Sequence, residues 1–331
     1  MGVVDVTVVG GGPVGLFAAF YAGIRGMSCR IVDSLPQLGG QLVALYPEKY
    51  VYDVAGFPKI RAKELAAGFV EQGLQFGAEV VTNETASSLR REGSDWKIGT
   101  VSGLELLTRT VILSAGAGAF TPTKLGAERE AEMEGRGLQY GVLDEEALRG
   151  KDVIVVGGGD SAFDWAVHLH GLARRVRLLH RRDEFRAHEE TVRQAKDLGI
   201  GLILWKSVVK VLGETHVTGV RVKDHQGGPE EEVLCDAVVV NVGFKSNLGP
   251  IRDWGLEIEK NQIVVDHLQR TNLPGIFAVG DVCTREGKLK LIATGAGEAA
   301  AAVCVAKTEL DPEARLFPGH SSDIDVDTLR R

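Results

Sequence analysis

Two glycine-rich turns are the part of the sequence whose spacing could support chemistry. The segment Asp5 to Gly12, DVTVVGGG, recurs as Asp152 to Gly159, DVIVVGGG. Each copy is a β-branched run that ends in glycines, and a helix-like stretch comes after it, Val14 to Gly26 in the first copy and Ser161 to Ala173 in the second. The free N–H groups at the start of such a helix bind phosphate anions. The repeat therefore predicts two separate nucleotide sites.

The first turn carries a complete dinucleotide-binding pattern. Gly10, Gly12 and Gly15 have the spacing Gly-x-Gly-x-x-Gly, and Asp33 lies eighteen positions after Gly15. Gly10 allows the tight turn, Gly12 lets the backbone approach a pyrophosphate, and Gly15 lets the helix pack closely on the strand. Asp33, at the end of the next strand, can accept hydrogen bonds from a ribose diol. With Pro13, these residues predict a site for a dinucleotide.

The second turn differs from the first in the residues after its second strand. His180, Arg181 and Arg182 stand there, and no acid occupies the place that corresponds to Asp33. A carboxylate at that place would repel a 2′-phosphate, whereas a guanidinium group binds it by charge-assisted bidentate hydrogen bonds. The second turn therefore predicts a binding site for NADPH. The alternative interpretation is that these basic residues are simply the solvent-exposed end of a strand. The candidate ligands are Gly157, Gly159, Asp160, Ser161, His180, Arg181, Arg182 and Arg186.

The elements around the turns indicate an α/β fold. A strand, a tight turn, a helix and a second strand form a βαβ unit, whose strands are expected to be parallel. We expect two Rossmann-like, three-layer nucleotide-binding domains, because the unit occurs twice. Strand-like runs at Thr110 to Ser114 and Ala237 to Asn241 indicate two chain crossings. They predict a domain of residues 115–245 inserted in one made of 1–114 and 246–331. Alternating segments at 86–101 and 208–233 predict antiparallel ribbons.

Composition narrows the class of protein. A chain of 331 residues, 44% hydrophobic and 25% charged, is long enough for two domains, and its net charge of -7 does not favour nucleic acid or an anionic membrane surface. The first residues run directly into a strand, and no apolar run approaches the ~20 residues of a spanning helix. We therefore expect a cytoplasmic protein. The scattered Cys29, Cys235, Cys283 and Cys304 predict free thiols and no metal site.

Over almost its whole length, the sequence resembles the thioredoxin-reductase-like class of ferredoxin–NADP reductases. The nucleotide motifs also fit thioredoxin reductases, but those enzymes place a Cys-x-x-Cys pair just before the second turn, where this chain has GLQYGVLD at 137–144. We therefore expect no dithiol relay. The segments that carry the resemblance are GGGPVGL at 10–16, LPQLGGQ at 35–41, YPEKY at 46–50, YDVAGFP at 52–58, GGGDSA at 157–162, HRRDEFRAH at 180–188 and VGD at 279–281.

The resemblance implies where a flavin would lie. Asp33, Gln41, Tyr46 and Asp281 would surround FAD, and Gly280-Asp281 would precede a helix whose N-terminus faces the flavin. The residues alone would also allow Asp281 to be a helix cap.

The resemblance also gives the C-terminal tail a role. In the family, an extension after the last helix covers the flavin of the partner subunit in a homodimer. His320 would stack on the ring there, with Tyr46 on the opposite face and Ser321 beside the site. From the residues alone, His320 is an ordinary exposed tail residue.

The activity that the resemblance implies is electron transfer between NADPH and a small carrier. NADPH would give a hydride to FAD, which would pass single electrons to ferredoxin or a similar carrier, in a reversible reaction. Tyr46 and His320 would control access to the ring, and no acid or base residue is required. Two alternatives remain open: another acceptor, such as a quinone or a low-molecular-weight disulfide, or a redox sensor that does not turn over.

Overall fold

The computed structural model describes residues 2–47, 49–140, 145–320 and 322. The chain forms two compact units. Unit 1 consists of Met1–Phe120 with Ser246–Arg331, and unit 2 consists of Thr121–Lys245. The first crossing lies six residues beyond the position expected from the sequence. In the described part of the chain, no helix is both long enough and apolar enough to traverse a bilayer.

The helices and strands are numbered along the chain. Before the insertion lie β1 (Val4–Val9), α1 (Pro13–Ile24), β2 (Cys29–Val32), α2 (Gln41–Ala44), β3 (Tyr50–Val51), β4 (Ile60–Arg61), α3 (Ala62–Leu74), β5 (Glu79–Val81), β6 (Ala86–Glu92), β7 (Asp95–Thr100) and β8 (Glu105–Leu113). The insertion and its crossings contain β9 (Ala119–Pro122), α4 (Glu130–Met133), β10 (Leu138–Tyr140), β11 (Asp152–Val156), α5 (Asp160–His170), β12 (Arg175–Leu179), α6 (Glu189–Asp197), β13 (Gly201–Ile203), β14 (Lys206–Leu212), β15 (Gly219–Asp224), β16 (Glu231–Leu234), β17 (Ala237–Val240) and β18 (Phe244–Asn247). After it come β19 (Ile258–Glu259), β20 (Gln262–Val264), β21 (Ile276–Ala278), β22 (Cys283–Thr284) and α7 (Ile292–Leu310), and short 3₁₀ helices lie at Glu146–Leu148, Gly249–Asp253 and Gly280–Val282.

Unit 1 is a parallel sheet between helices and an antiparallel ribbon. Strands β5, β2, β1 and β8 lie side by side and are parallel, with Val8 opposite Ile31 on one side and Ile112 on the other. The far side of β8 pairs with β21 in parallel and with the antiparallel ribbon β6–β7. These aliphatic runs are buried because both faces of the sheet are covered. Small residues such as Ala18 of α1 and Ala302 of α7 let those helices pack closely on one face.

Unit 2 repeats this three-layer arrangement. Its five-stranded parallel sheet has the order β10-β17-β11-β12-β13. Helices α5 and α6 supply one buried cluster, which includes Phe163 and Ala195, and the antiparallel sheet β14-β15-β16 supplies another, which includes Val211 and Val220. The predicted α/β class with two Rossmann-like units and antiparallel ribbons is confirmed.

Candidate functional site

A cavity of about 860 Å³ lies in unit 1, which is an ordinary size for a site that binds a small ligand. The first glycine turn comes after β1, Asp33 after β2 and Gly280-Asp281 after β21, so the carboxyl ends of parallel strands bring them to one edge of the sheet. Helix α2 adds Gln41. The predicted residues that line the cavity are Gly10, Gly12, Pro13, Asp33, Gln41, Tyr46, Gly280 and Asp281.

Two glycines of the first turn, Gly10 and Gly15, are required because a side chain would clash there, whereas Gly12 faces open space. Gly10 has a φ of +108°, and a Cβ on it would lie 2.5 Å from the Ser114 carbonyl oxygen. A Cβ on Gly15 would lie 1.9 Å from the Gly10 carbonyl oxygen, so Gly15 supports the turn from behind. A Cβ on Gly12 would approach only the Gly40 Cα, at 3.9 Å. The surface over Gly12 is therefore free for a ligand.

The N-terminus of α1 points to an anion as that ligand. The helix begins at Pro13, and no described side chain caps it. Proline at the first helical position is typical because its missing N–H would have no partner there. The other first-turn N–H groups remain available for a negatively charged group beside Gly12.

Asp33 has a structural role that sequence reasoning missed. Its Oδ2 accepts a hydrogen bond from the Gly11 N–H at 2.5 Å, and its Oδ1 accepts one from the Leu35 N–H at 2.7 Å. Burial raises the pKa of this carboxyl group, although the two backbone hydrogen bonds act to lower it. Each carboxylate oxygen keeps a second lone pair, so Asp33 can hold the glycine turn and still accept a hydrogen bond from a ligand hydroxyl group.

Another part of the cavity wall combines an aromatic ring, a carboxylate and a helix end. Tyr46 is half-buried, and its pKa is raised by burial and then by the carboxylates of Asp281 and Asp53. The 3₁₀ helix Gly280–Val282 comes directly after β21, whereas α7 begins only after β22, at Ile292. The helix expected after Gly280-Asp281 is thus separated from it by a loop, although Lys290, Leu291 and Ile292 line the cavity.

Sequence reasoning gave no role to two further aromatic residues of the cavity wall. Tyr50 and Tyr52 line the cavity with rings 6.5 Å apart, and the Lys59 ammonium nitrogen lies 3.8 Å from the Tyr50 ring centroid. The alternation of tyrosines after position 46 is a sequence signal for them. It does not place them at a site, because that depends on how the hairpin β3–β4, which pairs Tyr50 with Arg61, packs beside the glycine turn.

The second glycine turn, in unit 2, has the same division of roles. A Cβ on Gly157 would lie 2.3 Å from the Asn241 carbonyl oxygen, whereas a Cβ on Gly159 would meet nothing within 4 Å. Helix α5 starts at Asp160, beside Ser161, without a side-chain cap from any described residue. Asp160 instead accepts a hydrogen bond from the His188 N–H at 2.9 Å, which ties the loop after β12 to the helix.

The four basic residues that the sequence assigns to the NADPH site fall into two groups, one packed against the turn and one exposed. His180 packs against the turn, since a Cβ on Gly158 would lie 2.4 Å from its ring, and burial lowers its pKa. The side chains of Arg181, Arg182 and Arg186 are exposed, and the Arg186 N–H donates to the Gly158 carbonyl at 2.8 Å. The three guanidinium groups are therefore carried by a loop that is anchored to the glycine turn.

None of the described tail residues lines the unit 1 cavity. His320 is exposed, its ring centroid lies 5.5 Å from that of Phe317, and it is not among the described residues that line the unit 1 cavity. Ser321 and residues 141–144 lie outside the described residues.

All four cysteines are buried free thiols. Burial raises the pKa of Cys29 and of Cys235 to about 12 and that of Cys283 to about 11, and it also raises the pKa of Cys304. These thiols therefore stay protonated at neutral pH, unlike reactive cysteines. The described part of the chain contains no cluster of His, Cys, Asp and Glu that could hold a metal ion.

Comparison with known proteins gives consistent matches over most of the chain. The profile of the family described as pyridine nucleotide-disulphide oxidoreductase matches residues 4–299. The chain is 48% identical over 321 residues to "Ferredoxin--NADP reductase 2" of Shouchella clausii, and 48% identical over 324 residues to "Ferredoxin--NADP reductase" of Geobacillus kaustophilus, with 97% of each chain covered in both matches.

Solved structures give the same result for the fold. The thioredoxin reductase of T. acidophilum matches with a TM-score of 0.73 and 29% identity, over 93% of this chain and 98% of that chain. The thioredoxin reductase of Lactococcus lactis, in its FR conformation, matches with a TM-score of 0.72 and 29% identity, over 92% of this chain and 97% of that chain. The chain therefore belongs to the pyridine nucleotide-disulphide oxidoreductase family and, within it, to the ferredoxin–NADP reductases with a thioredoxin-reductase-like fold.

Proposed function

We propose that the protein is an FAD-dependent ferredoxin–NADP reductase. The observation that carries the proposal is the opposite charge beside two similar glycine turns. Asp33 accompanies the first turn, and Arg181 and Arg182 accompany the second. A carboxylate suits a ribose diol, whereas guanidinium groups suit a 2′-phosphate, so each turn selects a different dinucleotide.

Unit 1 would bind FAD. Gly10, Gly12, Pro13 and the N-terminus of α1 would bind the pyrophosphate, with Gly15 supporting the turn from behind. Asp33 would accept hydrogen bonds from the ribose of the adenosine. At the other end, Gln41, Tyr46, Gly280 and Asp281 would contact the flavin and its ribityl chain. The open surface over Gly12 and the available lone pairs of Asp33 support this fit.

Unit 2 would bind NADPH. Gly157, Gly159, Asp160, Ser161 and the N-terminus of α5 would hold the pyrophosphate. Arg181, Arg182 and Arg186 would bind the 2′-phosphate, and their exposure near the turn supports that role. The half-buried His180 would support the turn and complete the phosphate site.

The proposed reaction depends on positioning rather than on a protein acid, base or nucleophile. Bound FAD would supply the conversion between a two-electron donor, NADPH, and a one-electron carrier. The protein's own residues would hold the two nucleotides in the relative geometry that hydride transfer requires. Tyr46 would stack on one face of the ring. The raised pKa values of the four thiols argue against a thiol relay.

The partners are part of the same proposal. The electron acceptor would be ferredoxin or a similar small carrier, as the printed names of the relatives suggest. The protein would act as a homodimer, in which His320 and Ser321 of the tail cover the flavin of the partner subunit. Four free thiols support a location in a reducing compartment, the cytoplasm.

Spectroscopy and then an acceptor panel test the proposal. The purified protein should be yellow from bound flavin. In rapid-mixing experiments, NADPH should bleach the flavin absorption band faster than NADH does. Ferredoxin should then reoxidise the flavin faster than a quinone or a low-molecular-weight disulfide. A flavin-loaded protein that NADPH reduces but that prefers a disulfide or quinone would overturn the assigned acceptor. Binding of both nucleotides without turnover on any carrier would favour a redox sensor.

A further inference from the structure

A group of buried side chains lies behind the Gly280–Asp281 turn, on the side away from its expected ligand. The carboxylate of Glu298, on α7, accepts a hydrogen bond from the Gly280 N–H at 2.9 Å. Only 5% of the Glu298 side chain is exposed, and 6% of the side chain of Lys288, whose ammonium group forms an ion pair with the same carboxylate oxygen. Arg285 lies 3.7 Å from the other oxygen. These groups do not belong to the described cavity wall.

A second side chain holds the turn from another direction. The side-chain amide of Gln262, on β20, donates to the carbonyl oxygens of Asp281 at 3.1 Å and of Cys283 at 3.0 Å. The Cys283 thiol donates to the Gly280 carbonyl at 3.3 Å. The polar backbone groups on both sides of Asp281 are thus bound by buried or half-buried side chains rather than by solvent.

Packing joins this turn to the first glycine turn. A Cβ on Gly280 would lie 3.3 Å from the Val14 side chain, and a Cβ on Gly295 would lie 2.5 Å from it and 3.4 Å from the Gly280 Cα. Val14 belongs to the first turn of α1, which begins at the glycine motif. The position of Asp281 relative to that motif is therefore fixed through direct contacts.

We propose that Glu298 and Gln262 are positioning residues that hold the Gly280–Asp281 turn in the geometry that binds the flavin, with Lys288 neutralising the buried carboxylate of Glu298. The inference rests on the proposed FAD site. Neither residue would touch the flavin. Without the Glu298 acceptor, the Gly280 N–H would turn towards another partner, and each binding event would have to restore the geometry of Asp281.

A matched pair of double variants tests the hydrogen bond separately from the charges. E298Q/K288M removes both charges but keeps a side-chain oxygen for the Gly280 N–H, whereas E298M/K288M removes the charges and the acceptor. We expect E298M/K288M to weaken FAD binding about tenfold, the usual consequence of a lost buried hydrogen bond, and E298Q/K288M to keep most of the affinity. Gln262→Leu should also weaken binding. Glu309→Gln, at the exposed end of the same helix, serves as a control and should have no effect.

Two readouts distinguish positioning from a merely structural role. The FAD dissociation constant is measured by fluorescence titration of the apoprotein, and the flavin midpoint potential is measured with reference dyes. A tenfold difference between the losses for oxidised and reduced flavin corresponds to about 30 mV. Thermal unfolding and NADP⁺ binding show whether each variant is folded. If E298M/K288M does not fold, Gln262→Leu and E298Q/K288M decide the test, the first by losing affinity and the second by keeping it.

The outcomes separate this inference from the proposed function. A wild-type chain that binds FAD, together with folded variants of unchanged affinity and potential, would overturn the inference alone. Equal losses in the two double variants would assign the effect to charge rather than to the hydrogen bond and would also overturn it. A wild-type chain that binds no FAD would overturn the proposed function as well.

Discussion

At the scale of single residues, the ionisation of Asp33 should make FAD binding depend on pH. Its pKa is raised by burial, and ribose hydroxyl groups would donate to its ionised form. FAD binding should therefore lower this pKa. Consequently, FAD affinity should be highest at a pH above the pKa that Asp33 has in the FAD-free protein, and it should fall as the pH drops through that pKa. As the pH is lowered, FAD release should begin at a higher pH than it would if the pKa of Asp33 had its ordinary value. Titrations of FAD binding between neutral and acidic pH measure this effect.

Asp33→Asn should remove this pH dependence. The amide cannot accept as many hydrogen bonds, so FAD binding should also weaken by about 1.5–3 kcal/mol at neutral pH, the usual value for a hydrogen bond to a charged group. Asp197→Asn, on an exposed position of α6, is the control. An unchanged pH profile in Asp33→Asn would show that another group governs release.

Arg182 should determine nucleotide preference. Its guanidinium group is exposed beside the second glycine turn and would bind the 2′-phosphate. Arg182→Ala should weaken NADPH binding by about 1.5–3 kcal/mol and leave NADH binding nearly unchanged, because NADH lacks that phosphate. Steady-state KM values for both nucleotides provide the measurement. Arg193→Ala removes an exposed arginine from the same unit and should affect neither nucleotide. Equal losses for NADPH and NADH would contradict the phosphate-binding role.

At the scale of elements, the glycines of each turn should separate binding from folding. Gly12→Ala puts a methyl group into open space over the turn, so it should weaken FAD binding while the protein still folds. Gly15→Ala puts one 1.9 Å from the Gly10 carbonyl oxygen, so it should disrupt the packing of α1 on β1. Circular dichroism, thermal unfolding and flavin content distinguish the two results.

Unit 2 supplies the reciprocal control for this prediction. Gly159→Ala also adds a methyl group in open space, and it should weaken NADPH binding while flavin content stays normal. If Gly12→Ala and Gly159→Ala each impaired both nucleotides, the two turns would not be separate sites.

The elements that can be predicted from the sequence are those with a local pattern. The β-branched runs before each turn and the strand Cys29–Val32 are recognisable because buried parallel strands consist of short aliphatic runs. The start of α7 at Ile292 has no such pattern, because no described side chain caps that end of the helix. The roles of Glu298 and Gln262 could not be predicted, since their hydrogen bonds depend on long-range packing. The packing of His180 against Gly158 likewise has no local signal, so the sequence indicates only a ligand there.

At the scale of the whole molecule, the tail prediction depends on a second subunit. Deleting residues from Pro318 onward should leave folding and FAD binding largely intact, since the described tail residues add little to the core. Without its cover, the flavin should react faster with oxygen, so NADPH oxidase activity should rise relative to ferredoxin reduction. Oxygen consumption and carrier reduction, measured on one sample, give this ratio.

Substitutions at His320 refine the tail prediction. His320→Ala should reproduce most of the change, whereas His320→Phe keeps a planar ring and should not. Light scattering shows whether the variants keep the oligomeric state of the wild-type protein. If the truncation and His320→Ala leave both activities unchanged, the tail does not cover the flavin.

The insertion of unit 2 into unit 1 has a consequence for synthesis on the ribosome. Strand β21 pairs with β8, through Ile276 opposite Val111, yet all of unit 2 is translated between them. Unit 2 can fold while the sheet of unit 1 still lacks a strand and α7. Gly280, Asp281 and Ile292 also emerge late, and they form part of the cavity wall. A nascent chain therefore cannot complete the proposed FAD site until Ile292 has been synthesised, so we expect cofactor loading to follow the synthesis of unit 2.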